Sequence, residues 1–533
     1  MEMELNFEEY FGIKDFKLDQ ELDEIVSTLN QYKPTEVFFI LNSLIINNTI
    51  NSMKNHRNTT SPKLANSLFY LYKKNCSVGY KKIKNKEKLI NYLSDKLNKI
   101  NYYYSNIFFE QTKEKEIDSD FTLKSFYNIN FNTFHFDYPN ISSFQYLKCF
   151  LMNKEIINDM VKDHNLDFFD VIKGWLICIL YENIADINDN NKYKYETVFT
   201  SFSEKIILEL LYTNKINHRD FLEYFFPKLE SKTKIIDSYP TDKFYKEKFS
   251  LGIRYNNRVY YPRSFYQFND FWDMMLENKL MENKKGDFLE EYTYNLLVDF
   301  FGKENVFMNL FDENGNEQDF IVIYNDYLLC FECKSENLKE PFRDVSRAEK
   351  RMRQNFKSSI QKAYEQGLRI KNNIENNSTR YYDDDTKSTR KLIIDLKNFD
   401  SQKVLITCVT LENYLNLSNR LNKYLKPTSN IYPWVIDIFS LEHIFNKIIS
   451  IDKSPQYLIN YISERINTHN YLQAIGAEEL ECFGYYLRYN KFMDFTNLNT
   501  IMTLGNGYSS FVLDYFSPEI YILIDYFENL QRH

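Results

Sequence analysis

The sequence lacks long hydrophobic runs and is poor in glycine, proline and cysteine. Among 533 residues there are 12 glycines, 11 prolines and 7 cysteines. No stretch approaches the roughly 18 consecutive apolar residues of a membrane-spanning helix, so no such helix is expected. The scarcity of glycine and proline excludes collagen-like and low-complexity chains. Cysteines scattered this widely predict reduced, buried thiols rather than the disulfide framework of a small secreted protein.

The sequence also lacks an excess of positive charge. Lysine and arginine number 66 against 74 acidic residues, which gives a net charge of -8. Nucleic acid is therefore not attracted by the chain as a whole, and any such partner must meet a local basic patch. The 7 histidines show no spacing typical of a metal site. The acidic start of the chain has no signal-peptide layout, which predicts a soluble, cytoplasmic protein without a membrane partner.

What the sequence does contain is enough apolar residues, 44%, for several cores. Up to residue 260 these residues recur at helical spacing, as in "EKLINYLSDKLNKI", which predicts a large all-α N-terminal region. "DFFDVIKGWLICILYENIADI" is interrupted by charges and is interpreted as a core helix. From 265 to 465, helical and β-rich segments alternate, which predicts an α/β (α+β) domain with a central mixed sheet. Within this domain, the polar and turn-rich stretch 371–390 is predicted to be a mobile loop. Residues 466–533 are predicted to form a small helical C-terminal region.

A group of polar residues flanks two predicted strands in "GNEQDFIVIYNDYLLCFECKS", residues 315–335. Glu332 and Lys334 are two apart on a strand, so they share a face. A tight turn at "YNDY" would lay the preceding strand antiparallel, with Asp319 at the same end. Carboxylate oxygens are ligands that Mg²⁺ or Mn²⁺ prefers, and a lysine beside them could orient an attacking water. The pattern therefore predicts a metal site at this end of the strands.

A third acid is predicted on the preceding helix, "GDFLEEYTYNLLVDFF". At 100° per residue, Glu290 falls on the edge of the apolar stripe, whereas Glu291 points well away from it. We therefore expect Glu290 to approach the strand acids, with Glu291 as the alternative. For either residue taken alone, the better interpretation is an ordinary acid on a helix surface.

Together, Glu290, Asp319, Glu332 and Lys334, in helix, strand, strand order, resemble the motif of the PD-(D/E)XK nuclease superfamily. The later segments "KVLITCVTLE" and "PWVIDIFSLEHI" resemble further strands of such a domain. One departure is Gln318, which stands where the family's name places proline. The resemblance implies a restriction endonuclease-like domain at 265–465 with Glu290, Asp319, Glu332 and Lys334 as catalytic residues. The three acids would hold Mg²⁺ or Mn²⁺.

The resemblance further implies a nuclease that hydrolyses phosphodiester bonds, with DNA favoured over RNA, and a role in restriction or antiviral defence. The N-terminal region, 1–260, would then serve recognition, regulation, homo-oligomerisation or binding of a regulatory protein. Two other interpretations stay open at this point. One is a non-catalytic nucleic-acid-binding or scaffold protein that keeps the fold, and the other is a helical interaction protein.

A basic helix follows the predicted strand that ends at Lys334. Its polar side could follow a phosphate backbone. On a helical wheel, that side is predicted to carry the nucleic-acid-binding residues Arg343, Arg347, Lys350, Arg351, Lys357 and Gln361. The alternative is a solvated amphipathic helix without a ligand.

Overall fold

The computed structural model describes most, but not all, of the chain. The described residues are 17–38, 40–41, 44, 72, 79–113, 141–188, 199–229, 252–262, 264–336, 350, 353–386, 388–414, 416–419, 421–428, 430–470, 473–475, 478–492, 501–503 and 508–513. Two compact units divide the chain. The first comprises Met1–Glu110, Asn128–Met281 and Pro518–His533, and the second comprises Gln111–Tyr127 and Glu282–Ser517.

The first unit is mainly helical. Its helices are α1 (Leu18–Leu29), α2 (Lys86–Lys113), α3 (Ser143–Met152), α4 (Lys154–Val161), α5 (Phe168–Asn188), α6 (Glu204–Thr213), α7 (His218–Phe225) and α8 (Ser264–Leu276). The ring of Trp175 on α5 packs edge-on against Phe271 of α8, with centroids 4.4 Å apart. Phe150 of α3 meets the same Phe271 ring at 5.3 Å. The burial of Trp175 confirms the interpretation of α5 as a core helix.

The prediction that this region is all-α is wrong. The strands β1 (Phe199–Ser203), β2 (Ile253–Tyr255) and β3 (Arg258–Pro262) form an antiparallel sheet in the order β1-β3-β2. Asn256 and Asn257, with φ of 49° and 57°, make the two-residue turn between β2 and β3. Paired left-handed residues are typical of a type I′ hairpin turn, and asparagine tolerates them well. The "YNNR" sequence carried this hairpin signal.

The second unit contains a large sheet and the helices around it. Its helices are α9 (Lys279–Phe301), α10 (Lys362–Glu375), α11 (Asn416–Asn419), α12 (Leu421–Tyr424), α13 (Ile438–Ser450), α14 (Pro455–Asn467), α15 (Glu479–Tyr489) and α16 (Ser509–Leu513). Its strands are β4 (Val306–Phe311), β5 (Glu317–Tyr324), β6 (Tyr327–Lys334), β7 (Arg380–Tyr382), β8 (Leu392–Asp395), β9 (Val404–Thr410), β10 (Trp434–Asp437), β11 (Gln473–Ile475) and β12 (Ile501–Thr503). The short strands β11 and β12 pair with each other in parallel, so the region from 466 onward is not wholly helical.

Seven strands form one mixed sheet in the order β10-β9-β6-β5-β4-β7-β8. The strands β4, β5 and β6 form an antiparallel meander, and β9 and β10 continue from β6 in parallel. Every residue of β9 is buried, as expected for a central strand. The predicted mixed α/β character of this part of the chain is therefore confirmed.

Helices α9 and α10 both pack on this sheet through specific contacts. From α9, Tyr294 stacks on Phe320 with centroids 6.5 Å apart. Helix α10 approaches the sheet closely at Gly367, where a Cβ atom would lie 2.5 Å from Cγ2 of Ile406. Because that distance is far below van der Waals contact, the approach requires glycine. Strands β5 and β9 are thus packed against helices from different parts of the chain.

Two sequence predictions at the ends of this sheet need correction. The segment "PWVIDIFSLEHI" is a strand only as far as Asp437, whose carboxylate accepts the Ser440 N–H at 2.9 Å and caps α13. The polar stretch 371–390, expected as a loop, contains the end of α10 and strand β7. Among the described residues, no helix combines the length and apolar character that crossing a membrane requires.

Candidate active site

The hairpin of β5 and β6 carries the strand residues predicted for the site. Tyr324 pairs with Tyr327 across a turn at Asn325, whose φ is 53°, which confirms the predicted antiparallel turn. At the other end of the hairpin, the Cys333 N–H donates to Oδ2 of Asp319 at 2.7 Å. Asp319 therefore lies at the end of the hairpin where β6 finishes with Glu332 and Lys334.

Lys334 lies close to Asp319 at the end of β6, which is an inner strand of the sheet. Its Nζ is 3.9 Å from Oδ2 of Asp319 and donates to the Cys333 carbonyl oxygen at 2.8 Å. Strand β6 is held on its other edge by β9, where Lys334 pairs with Thr410. The ammonium group is thus placed by two strands and faces a carboxylate, rather than extending freely into solvent.

Glu332 is a carboxyl group inside the protein, with 0% of the residue exposed. Its Oε1 lies 3.6 Å from Sγ of Cys330, whereas Oε2 has no hydrogen-bond partner among the residues that the structure describes. Burial raises the pKa of Glu332 well above its usual range, and Asp319 raises it further, while Lys334 and Arg369 oppose this. A buried oxygen without a partner is costly, so this atom is suited to contact a cation or a hydrogen-bond donor.

Glu290 on α9 belongs to the same electrostatic group. Burial, together with the neighbouring charges of Asp319, Glu317 and Asp287, raises the pKa of Glu290 to about 7, although Lys334 opposes this. Glu290 is half-buried and Glu291 is exposed, which agrees with the helical-wheel placement of the two residues. The structure therefore brings Asp319 near enough to Glu290 and to Glu332 for its charge to raise the pKa of both carboxyl groups.

These acids do not already form a metal site. In the part of the chain that the structure describes, no group of three or more His, Cys, Asp or Glu side chains is arranged to hold a metal ion. Asp319 is engaged by the Cys333 N–H and lies beside Lys334, and Oε1 of Glu332 lies beside a thiol. The donor set itself, carboxylate oxygens with one unpartnered atom, fits a hard cation such as Mg²⁺. Binding would require these side chains to adjust.

The predicted nucleic-acid face is only partly described. Lys350 and Lys357 are exposed, as predicted. Gln361 is instead 8% exposed, and its Oε1 accepts the Lys426 N–H at 2.9 Å. The segment Lys357–Gln361 is a π-helix, whose wider turn changes which side chains share a face. Arg343, Arg347 and Arg351 lie outside the described residues.

Sequence reasoning missed several residues that contact the site. Gln318, Cys330 and Arg369 are polar groups around Glu332, and Ser358 donates to Glu336 just beyond Lys334. Arg369 anchors through Nη2 to the Glu317 carbonyl oxygen at 2.7 Å. Cys330 could have been placed beside Glu332 by strand alternation, since the two residues are two apart on β6. Gln318 and Arg369 carry no such local signal, because their contacts join the sheet to α10.

We expect the stability of the cation-free protein to depend on pH through Glu290. The usual pKa of a glutamate carboxyl is 4.5, and the fold raises the pKa of Glu290 to about 7. Above pH 4.5 the unfolded chain therefore loses this proton first. The contribution of the protonated Glu290 carboxyl to the free energy of unfolding is therefore complete below pH 4.5 and is lost as the pH rises towards about 7.

Glu290→Gln removes this titration. Urea unfolding in EDTA at several pH values should show that the wild type loses stability relative to Glu290→Gln as the pH rises from 4.5 to about 7, the interval between the usual and the raised pKa. The same dependence of the free energy of unfolding on pH in both proteins would contradict the assigned environment of Glu290.

Comparison with known proteins adds no relative. The chain matches no protein-family model, no curated protein and no solved structure. The functional argument therefore rests on the arrangement of the residues themselves.

Proposed function

We propose that this protein is a metal-dependent nuclease whose restriction endonuclease-like domain lies within residues 265–465. The observation that carries the proposal is the unpartnered Oε2 of Glu332, buried beside Asp319 at the end of two central strands. Such an atom is expected to be satisfied in the working protein. A divalent cation would satisfy it and would also relieve the repulsion among the acids.

Glu290, Asp319 and Glu332 would hold the Mg²⁺ or Mn²⁺ ion. When bound, the cation supplies charge neutralisation at a phosphate and lowers the pKa of a water molecule. Lys334, with Nζ 3.9 Å from Asp319, is suited to orient a water and to stabilise negative charge on a phosphate oxygen. These are the roles that a phosphodiester hydrolase needs from one lysine and three acids.

The proposed substrate is nucleic acid, with DNA favoured over RNA by the family resemblance. The exposed Lys350 and Lys357 precede α10 and could contact phosphates. The resemblance also supports a cytoplasmic role in restriction or antiviral defence. The first unit would then provide recognition, regulation or self-association.

The proposal is tested by incubating the purified protein with plasmid, linear duplex, single-stranded DNA and RNA. Each substrate is paired with Mg²⁺, Mn²⁺ or EDTA. We expect cleavage of DNA with at least one of the two cations and none in EDTA. Cleavage that persists in EDTA would contradict metal dependence, and cleavage of RNA alone would overturn the preference for DNA.

The second candidate is a non-catalytic nucleic-acid-binding or scaffold protein with the same fold. It is favoured by one observation, that the described acids are not yet arranged around a metal position. Salt-sensitive binding of DNA without cleavage in either cation would support this candidate over the nuclease.

A further inference from the structure

Helices α15 and α16 carry a group of aromatic rings at the surface of the second unit. Tyr489 is 46% exposed and Phe511 is 39% exposed, so both rings present area to solvent. The guanidinium carbon of Arg488 lies 5.5 Å from the ring centroids of Tyr489 and Phe511, within the range of a cation–π interaction. A third ring, that of Tyr508, lies 6.0 Å from the same carbon. We call these four residues the aromatic patch.

Buried contacts hold the aromatic patch in place. The carboxylate of Glu481 is buried, and its Oε2 accepts the backbone N–H groups of Tyr508 at 2.8 Å and Ser509 at 3.0 Å. The backbone at Tyr508 also lies close against α15 at Gly484, where a Cβ atom would clash with the Tyr508 carbonyl oxygen. The rings are therefore positioned before any partner binds, which lowers the entropic cost of binding.

The exposed charges around the aromatic patch are positive. Arg488 and Lys491 are exposed, and neither forms an ion pair with another residue that the structure describes. Both acids of α15 are instead engaged inside the protein, since Glu479 pairs with Arg465 and Glu481 accepts backbone N–H groups. The surface thus combines exposed rings with cations that have no countercharge beside them.

We propose that the aromatic patch binds single-stranded nucleic acid. Unpaired bases stack on aromatic side chains, whereas the bases of a duplex remain stacked on one another. Arg488 and Lys491 neutralise the adjacent phosphates, which fits the positive charge of this surface. The choice of partner rests on the proposed function, because the aromatic patch belongs to the same compact unit as Glu332 and Lys334.

Fluorescence anisotropy of labelled oligonucleotides in EDTA tests the proposal, since EDTA removes the cation that cleavage needs. Tyr489→Ala and Phe511→Ala should each weaken binding of single-stranded DNA roughly 5- to 100-fold, because each removes a ring on which a base stacks. Tyr489→Phe keeps the ring and should bind as the wild type does. Binding of a duplex of the same sequence should be nearly unchanged in both alanine variants.

Two further variants make the test specific. Tyr212→Ala is the matched control, because Tyr212 is a 72% exposed tyrosine of the first unit, outside the aromatic patch. It should bind single-stranded DNA as the wild type does. Arg488→Gln removes an exposed charge without opening a cavity, and it should weaken this binding and reduce its dependence on salt concentration. If an alanine variant does not fold, Arg488→Gln decides.

The possible outcomes separate this proposal from the nuclease itself. Wild-type affinity for single-stranded DNA in Tyr489→Ala, Phe511→Ala and Arg488→Gln would overturn the proposal, while cleavage with Mn²⁺ would leave the nuclease standing. Equal losses for single-stranded and duplex DNA would also overturn it, because they would indicate phosphate contacts without stacking. No binding of single-stranded DNA by the wild type would overturn it too, and no binding or cleavage of any nucleic acid would overturn the proposed function.

Sedimentation equilibrium distinguishes a protein interface at the same surface. If the wild type self-associates, Tyr489→Ala does not, and DNA binding is the same in both, the aromatic patch binds a second copy of the chain and the proposal is overturned. We expect the same association state in both proteins.

Discussion

Replacement of Lys334 by alanine is expected to slow nucleic-acid cleavage by about two to three orders of magnitude without unfolding the protein. The lost ammonium group lies 3.9 Å from Asp319 and donates to a backbone carbonyl at the end of β6. It is the only positively charged side chain among the catalytic residues that the resemblance implies, and negative charge develops on the phosphate in that reaction. Initial rates with saturating Mn²⁺, together with circular dichroism melts, measure both parts of this expectation.

One control variant and a second variant of the site test whether the loss is specific to the site. Lys403 also pairs with an acid on the β5–β6 hairpin, Asp326, but at the opposite end from the site. Lys403→Ala should therefore cleave at the wild-type rate. Glu332→Gln should lose activity as Lys334→Ala does, yet unfold at least as late as the wild type, because a buried carboxylate becomes neutral. Wild-type rates in Lys334→Ala and Glu332→Gln would refute the assigned roles.

Of the substitutions proposed for this protein, Glu479→Ala is expected to lower the free energy of unfolding most. Glu479 and Arg465 are 4% and 2% exposed, and their closest approach is 3.0 Å, from Nη2 of Arg465 to Oε2 of Glu479. The same carboxylate accepts the Trp434 Nε1–H at 2.6 Å and the Tyr461 hydroxyl. Removing the acid leaves a buried guanidinium without its countercharge, which typically costs about 3 to 5 kcal/mol.

The free energy of unfolding, from urea titration, measures this loss. Replacing both partners, by Glu479→Leu with Arg465→Met, should cost much less than Glu479→Ala alone, because no buried charge remains. A loss below about 1 kcal/mol in Glu479→Ala would place this pair with weak surface ion pairs and contradict its burial. This prediction is independent of any activity.

The position of the candidate site could be predicted from sequence because local patterns encode it. The alternating strands around "YNDY" fix the register of β5 against β6, and that register brings Asp319 to the end that carries Lys334. The apolar stripe of α9 likewise separates the half-buried Glu290 from the exposed Glu291. Both inferences need only the periods of a strand and a helix.

The detailed surroundings of Glu332 could not be predicted, because an irregular strand and long-range contacts create them. The pairing of β4 with β5 omits Asn309 and Asp319, and Asn309 has a left-handed φ of 50°. Simple alternation therefore does not describe β5 at this point. Gln318 reaches a carbonyl of α10, 48 residues away in sequence, and only the folded packing determines that contact.

Strands β7 and β8, at one edge of the large sheet, could not be predicted from the sequence for a related reason. Strand β7 lies within a polar, turn-rich stretch. Strand β8 is mostly aliphatic in sequence, yet each of its residues is exposed or only partly buried. Their pairing with β4 and with each other depends on tertiary context rather than on a hydrophobic pattern. Sequence reasoning therefore took residues 371–390 for a loop.

The most direct test of the proposed cation site is the thermal midpoint of the wild type and Asp319→Asn, each measured in EDTA and in Mn²⁺. Asparagine keeps an oxygen that can accept the Cys333 N–H but removes the charge that a cation would need. Asp326→Asn, at the exposed hairpin turn, serves as the control. A ligand that binds only the folded state stabilises it by about 2.7 kcal/mol at 100 times its dissociation constant.

If Asp319 helps to hold the cation, Mn²⁺ will raise the midpoint of the wild type and of Asp326→Asn and will leave that of Asp319→Asn nearly unchanged. An equal rise in all three proteins, or no rise in the wild type, would contradict a divalent-cation site at Asp319.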